Sequence, residues 1–518
     1  MSRNIEDLAD RHFRPDPHDM LADPSSARQA RILVAISDTA AHTKSGQDTL
    51  WMLTNLLCRQ FKLVTAIAYD IPAEIAMLPR VAAFGEASTL RETAANCVRL
   101  VAGQHVDVGA YDASSEFAYP IEIFIGQPSS SSRGSVRVVL FADGWRLFLG
   151  TRFPDGASCT SDLTLGPYLG ACFAAGEVFK RLRGLKEGKG HLLGEDREIF
   201  LSLWSCRSAA SWKQLDPDPI MASLALPAFY LAGAGAVAQA LALALAGMPN
   251  VGGYASVADP DSLDLSNDNR YALATLEDDR QSKAPLLARF LNHRGLETFP
   301  FPGTWQDFVA RSGREPSRSD LDTLERKYLY RLLLSCVDDN SARHAIQNLW
   351  PDLIIGGSTY GLTAKAIIYD MSGDQLCLKC FNPVIERNDR VRERIAQALA
   401  MKPEDQVRFF AELNIDPVSA TAYLHNPGCG KLSEQDLDRF AAGEPMMSVG
   451  FVSVAAGVLL AGQLLHLLHS GRSSLTTDGP ILIANFYRPG IRQLNSQPEA
   501  ACDCAERRRT DWSRLWPG

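Results

Sequence analysis

The sequence predicts an α/β protein in which one strand–helix–strand plan is used twice. Three observations carry this expectation. Each half opens on an apolar strand, a turn, a helix and a second apolar strand. Each half also holds a long helix rich in Gly and Ala. A length of 518 residues exceeds what one ordinary core fills, so about two to four domains are expected.

The elements follow in order. Residues 31–36 form a continuous apolar run, read as a buried strand, with a helix near 47–60 and another strand over 62–68. In the second half, 228–231 is a strand, 233–235 a tight loop, 236–246 a helix and 251–258 the next strand. Such β-α-β units imply parallel sheets with helices on their faces. The small-residue helices run from 165 toward 183 and from 449 to 468, the latter containing Ala455-Ala456-Gly457 and Ala461-Gly462. Small residues let helix backbones approach closely. The two halves agree weakly in identity and better in pattern, so a duplication is expected, with two unrelated α/β domains as the alternative. A polar segment, 186–220, with Pro217 and Pro219, reads as a linker. A second irregular, charge-rich region, 384–445, separates the second sheet from the last helix.

Composition excludes several classes. Apolar residues make up 46% and charged residues 22%, as in a soluble globular protein. The net charge of −8, with no basic block to offset it, argues against a nucleic-acid partner; Arg507-Arg508-Arg509 reads as a solvated tail. The first residues are polar and acidic, without the apolar core of a signal peptide. The apolar stretch 221–250 is divided by Pro227, Gly233 and Gly235, and 447–468 contains Ser448, Ser453, Gln463 and His466. Both read as buried segments rather than membrane spans, and a cytoplasmic protein with no membrane partner is expected. Eleven cysteines, an odd number, without a secretion signal do not suggest a disulfide framework.

The chemistry starts at residues 230–238, where Gly233-Ala234-Gly235 stands directly between a strand and a helix. Glycine permits a tight turn and close approach to phosphate, the helix N-terminus offers unpaired N–H groups, and the small Ala238 permits close helix–strand packing. Alone, this fits a dehydrogenase loop or a plain turn equally well. The residues that follow narrow the choice. Asp259 and Asp261 end the next strand, Ser266-Asn267 and Arg270-Tyr271 come after them, and Lys283 opens a later helix. A strand over 330–337 then ends in Asp338-Asp339-Asn340. A dehydrogenase needs one acidic residue for the ribose; here paired carboxylates are followed by two cations and a further carboxylate.

This series resembles the adenylating domain shared by ubiquitin-activating enzymes and the bacterial enzymes that activate sulfur-carrier proteins for thiamine and molybdopterin synthesis. Their pattern is Gly-x-Gly, Asp-x-Asp, Ser-Asn-Leu-x-Arg-Gln, a downstream Lys, and Asp-Asn after a later strand. The resemblance covers about 225–505 and, more faintly, the first half. It implies two Rossmann-like adenylation-type halves in one chain. Residues 1–185 would be an inactive half, since Ala35-Ile36-Ser37-Asp38-Thr39 stands where a Gly-x-Gly belongs. Residues 221–383 and 446–518 would form the active, ATP-binding half, and 384–445 a cysteine-bearing crossover region. The resemblance implies that Gly233, Gly235, Asp259 and Asp261 bind the nucleotide, with Asp259 on the ribose. Asn267, Arg270 and Lys283 would meet the triphosphate, and Asp338 would hold Mg²⁺ and the reacting phosphate. These roles suit the chemistry: a carboxylate attacking a phosphate needs cations to offset the repulsion. The departures are Asp268, Tyr271 and Asp339. The segment 10–14 resembles the Arg-Tyr-x-Arg opening of the family, which implies that Arg14 reaches the ATP bound by the other half.

Cys377-Leu378-Lys379-Cys380 and Cys502-Asp503-Cys504 are two cysteine pairs whose thiolates suit one tetrahedral Zn²⁺. A redox pair or free thiols are the alternatives, and the family often carries such a zinc site. Cys429, among Pro and Gly residues and beside Lys431, is the candidate nucleophile, with an ordinary loop cysteine as the alternative. The implied reaction is ATP-dependent adenylation of the C-terminal glycine of a ubiquitin-like protein, then thioester formation on Cys429 and transfer to a conjugating enzyme. Chains of this fused length resemble activators of bacterial ubiquitin-like conjugation systems, some tied to antiviral defence. A sulfur-carrier activator and a catalytically degenerate scaffold are the rival readings, and further homodimerisation is left open.

Overall fold

A computed structural model of the chain describes residues 5–72, 74–114, 118–129, 131–194, 197–219, 221, 224–311, 331–373, 375–383, 387–425, 432–442, 446–471, 479–499 and 502–516. The chain divides into two compact units, Met1–Phe381 with Met447–Gly518, and Asn382–Met446.

The larger unit contains two mixed sheets. After helix α1 (Ile5–Phe13), the first sheet is built from β1 (Ala30–Ile36), β2 (Val64–Asp70), β3 (Asp107–Ala110), β4 (Tyr119–Ile125), β5 (Gly134–Asp143), β6 (Arg146–Gly150), β7 (Ile199–Ser202) and β8 (Arg207–Ala209). Its order is β3-β2-β1-β4-β5-β6-β7-β8. Pairing is parallel from β3 through β5 and antiparallel beyond. Helices α2 (Asp38–Ala41), α3 (Lys44–Leu57), α4 (Leu90–Ala102) and α5 (Leu165–Arg183) accompany it. Along β1 the side chains are buried on both faces, as a central parallel strand requires, which is why its sequence is continuously apolar.

The second sheet comprises β9 (Leu224–Ala225), β10 (Phe229–Ala232), β11 (Val251–Ala258), β12 (Leu296–Phe301), β13 (Leu332–Ser335), β14 (Leu353–Tyr360), β15 (Thr363–Asp370), β16 (Ile481–Asn485) and β17 (Gly490–Leu494). Its order is β12-β11-β10-β13-β14-β15-β16-β17, with β9 beside β11. Pairing again changes from parallel to antiparallel after the fifth strand of that order. The helices here are α6 (Ala236–Gly247), α7 (Lys283–His293), α8 (Trp305–Arg311), α9 (Asn340–Asn348) and α10 (Leu378–Phe381). The smaller unit follows, with α11 (Arg387–Leu399), α12 (Pro403–Glu412), α13 (Pro417–His425) and α14 (Glu434–Ala442) around a core that includes Phe409, Phe410 and Phe440. The chain then re-enters the larger unit as α15 (Gly450–Ser470).

The two small-residue helices lie where their composition predicts, in the core. A Cβ on Gly457 of α15 would come within 2.5 Å of Leu241 N in α6, and one on Gly176 of α5 within 2.9 Å of Phe486. Among the described residues α15 is the helix long and apolar enough to cross a membrane, and it is buried against α5, α6 and the second sheet.

Two segments differ from expectation. The stretch read as a linker, 186–220, contributes β7 and β8 to the first sheet. Strands of four and three residues are too short to display a period of two against polar flanks. The region read as irregular, 384–445, is helical where described. In α11, Val391 and Ala398 face the small core, but charged neighbours mask the pattern.

Candidate nucleotide site and cysteine cluster

A cleft of about 490 Å³ opens where β10, β11 and β13 end, the position at which open α/β sheets hold ligands. Gly233, Gly235, Asp259, Asp261, Arg270, Lys283 and Asp338 all line it. The glycine loop explains its own sequence. Gly233 has φ +90°, and a Cβ there would sit 2.9 Å from the Cys336 carbonyl oxygen at the end of β13. Its N–H bonds the Ala258 carbonyl at 2.8 Å. Gly235 precedes α6 without a side-chain cap, and a Cβ there would meet only the Tyr271 hydroxyl, at 3.5 Å. The two glycines therefore serve different ends: one satisfies the backbone, the other keeps the cleft open above an uncapped helix N-terminus. Gly233→Ala is expected to cost about 1–3 kcal/mol of stability, whereas Gly235→Ala leaves the melting temperature unchanged. Equal melting temperatures for both variants would contradict this assignment.

Asp259 is only 6% exposed. Its carboxylate accepts from Ala234 N–H at 2.6 Å and Asp261 N–H at 2.9 Å, tying the glycine loop to the end of β11. Burial pushes its carboxyl above the ordinary range, opposed by those two N–H groups. Lys283 is the first residue of α7. Its ammonium donates to Asp261 at 2.8 Å, and its N–H donates to the Asp261 carbonyl at 2.9 Å. Burial disfavours the Lys283 ammonium, but Tyr271, Asp261 and Asp259 outweigh it and hold its pKa above the ordinary lysine value.

The guanidinium of Arg270 donates to Ser266 O at 2.7 Å, Asn269 Oδ1 at 3.0 Å and Asn267 Oδ1 at 3.1 Å. Burial weakens its hold on the proton, and Tyr271 and Asp338 oppose that loss. Asn267, expected at the triphosphate, accepts from Arg270, and its amide nitrogen donates to Asp264 O at 2.9 Å. Tyr271, where the family pattern has Gln, supplies an aromatic face to both cations, 5.4 Å from the Arg270 guanidinium and 5.5 Å from the Lys283 ammonium. The structure also separates the adjacent acids after β13. Asp339 caps α9 by accepting from Ala342 N–H at 2.6 Å, while the charge of Asp338 acts on Arg270 and Arg343.

Arg14 is not among the residues lining the cleft; it forks onto Asp10, with both contacts at 3.0 Å. Arg11 lies one turn earlier on α1. Burial lowers its pKa and the charge of Arg270 lowers it further, and its carbonyl accepts from Ser448 N–H, at the cleft wall, at 3.2 Å.

Sequence reasoning missed a second contribution from the first 185 residues. Arg59, just beyond α3, is 1% exposed. It donates to Asp268 O and Ala274 O, each at 2.6 Å, and to Asn55 Oδ1 at 2.9 Å. Asn55 in turn donates to Ala272 O at 2.8 Å. The backbone segment carrying Arg270 and Tyr271 is thus clamped by two side chains of the first sheet's helix. No local pattern marks Arg59 for this role. A lone arginine after an apolar helix is the only signal.

The four cysteines expected to bind metal do converge. Their sulfur atoms lie within 4.8 Å of one another, with Cys377–Cys380 at 3.5 Å, Cys377–Cys502 at 3.7 Å and Cys380–Cys504 at 3.6 Å. Disulfides would bring sulfurs to about 2.05 Å. A tetrahedron of thiolates around zinc has edges of about 3.8 Å. The donor set and its spacing fit a closed, structural zinc site. Burial and the neighbouring thiols push Cys377 up, and Cys504 up to about 12. Cys429 lies outside the described residues.

A Gly-x-Gly loop at the strand ends, with two cations and four carboxylates around one cleft and a separate cluster of four cysteines, marks a ThiF/MoeB-type adenylyltransferase superfamily member. Residues 213–505 match the ThiF family model, and the chain belongs to the ThiF family. It is 24% identical to the uncharacterized protein y4jF of Sinorhizobium fredii (strain NBRC 101917 / NGR234) over 498 residues, 90% of this chain and 87% of that one. It is 32% identical to the bacterial E1-like protein BilD of Collimonas sp. (strain OK412) over 188 residues, 34% of this chain and 37% of BilD's length. Among solved structures, MccB of E. coli with ATP matches with TM-score 0.34 and 12% identity, over 54% of this chain and 65% of MccB.

Proposed function

We propose that this chain adenylates the C-terminal glycine carboxylate of a ubiquitin-like protein with ATP. The observation that carries the reading is the convergence of the uncapped α6 N-terminus, Arg270, Lys283 and Asp338 on one cleft. The substrate carboxylate oxygen would attack the α-phosphorus; the bond to the bridging oxygen breaks, and pyrophosphate leaves with the electron pair. Arg270 and Lys283 offset the charge that gathers there, and the α6 N–H groups hold phosphate oxygens. Asp338, left open by the capping role of Asp339, would hold Mg²⁺, which supplies further charge neutralisation. Asp259 would take the ribose. The resemblance to a bacterial E1-like protein supports a ubiquitin-like substrate.

The shared strand order of the two sheets supports reading 1–185 as an inactive partner half. In place of a glycine loop it has Ser37, which caps the short α2 by accepting from Ala40 N–H at 3.2 Å. In the second step Cys429 would attack the acyl-adenylate, forming a thioester and expelling AMP, for delivery to a conjugating enzyme. This step rests on the sequence pattern around Cys429. A reaction that consumes ATP would take place in the cytoplasm, which is the location this reading implies.

The test is ATP–pyrophosphate exchange with candidate ubiquitin-like proteins. Exchange should require the carrier's terminal glycine, fall about 100-fold or more in Lys283→Ala, and survive in Cys429→Ala. Full product formation by Cys429→Ala would favour a sulfur-carrier activator. A protein that binds no ATP and exchanges nothing would be a scaffold.

A further inference from the structure

A second helix starts beside the cleft, with Ser448 just before it and Ser453 in its first turn both lining the wall, and its chemistry differs from that of the first. α15 is a 21-residue helix that begins at Gly450 with no side-chain cap. Its first helical hydrogen bond, Ser453 N–H to Val449 O at 3.4 Å, leaves the N–H groups of 450–452 without helical acceptors. One turn into the helix, Ser453 is 3% exposed, lines the cleft, and its hydroxyl has no hydrogen-bond partner among the described residues. A hydroxyl held at a cleft wall without a protein partner is available to a ligand. The turn is also fixed in place. A Cβ on Gly450 would stand 3.1 Å from Asn269 O, Ser448 O accepts from Asn269 Nδ2 at 3.2 Å, and Ser448 N–H donates to Arg11 O at 3.2 Å.

On the adenylation reading above, we infer that the first turn of α15 together with Ser453 Oγ seats the attacking carboxylate, and afterwards the acyl carbonyl oxygen. The argument is one of charge. The α6 side of the cleft holds Arg270 and Lys283, suited to a polyanion, whereas the α15 turn offers only neutral donors. A carboxylate paired with a lysine would be stabilised before reaction more than during it, which slows attack. Neutral N–H and O–H dipoles orient it and leave its charge available, and the same donors then polarise the acyl carbonyl.

Two stable compounds separate this seat from the nucleotide seat. Glycyl sulfamoyladenosine mimics a glycyl adenylate and carries the acyl carbonyl; sulfamoyladenosine lacks it. Both are titrated by calorimetry against the full chain and its Ser453→Ala variant, whose melting temperatures should agree. The variant should bind the glycyl compound about tenfold more weakly and sulfamoyladenosine within about twofold of the original. Equal weakening of both compounds would overturn the inference by placing Ser453 at the nucleotide, and unchanged binding of both would overturn it outright. Native protein that binds neither compound would sink the adenylation reading itself, and the inference with it.

Discussion

Arg59→Met lowers stability by about 3–5 kcal/mol, far more than its place outside the cleft suggests. The substitution keeps the length and apolar stem but leaves the carbonyls of Asp268 and Ala274 and the Asn55 amide oxygen without their donor. Each buried acceptor so stranded loses its full desolvation compensation. Burial lowers the pKa of the guanidinium, yet arginine keeps its charge under such conditions, so its three bonds are charge-assisted. The damage falls on the segment that carries Arg270 and Tyr271, so ATP affinity should fall in the same variant. Denaturant unfolding read beside nucleotide binding tests this. A variant with unchanged midpoint and unchanged ATP affinity would show that the clamp is dispensable.

Zinc removal is the second large effect. The purified chain should carry one zinc, and Cys502→Ser should lose it together with about 3 kcal/mol or more of stability. The cluster ties the end of the second sheet's excursion, at α10, to the last residues of the chain. Other contacts do the same: Arg508 reaches the carbonyls of Gly373 and Gln375, and Trp516 donates to Trp350 O at 2.8 Å. The small core here includes Cys377, Cys504 and Trp350 themselves, so loss of the cation opens it from within. Metal analysis settles the point directly. A metal-free protein of full stability, or one with disulfides in place of the four thiols, would refute it.

The parts of the molecule legible in the sequence are those governed by neighbours along the chain. The strand 251–258 and the helix from 165 to 183 are found at their predicted limits, the helix because near-continuous burial leaves an apolar record. The loop at Gly233 is legible because a positive φ admits few residues. Contacts between distant segments leave no such record. Arg59 meets its acceptors across 209 and 215 residues of chain, and nothing near it in sequence announces them. The same holds for the two arginines of α1. The motif singles out Arg14, which pairs with Asp10, while Arg11, one turn earlier, feels the charge of Arg270. Asn267 likewise has the expected identity, and its amide oxygen accepts from the arginine beside it, a contact its neighbours in sequence do not announce.

The Lys283–Asp261 pair sets how readily the cleft changes partners. The lysine side chain is 8% exposed and its aspartate 63% exposed. A carboxylate that stays largely in water is a weak competitor, holding a cation by about 0–1 kcal/mol. It keeps the ammonium extended over the cleft rather than folded back into the fold, yet surrenders it at little cost to a polyanion of higher charge. The resting molecule thus has its cation already aimed, and the aspartate is the rest on which that aim is kept steady.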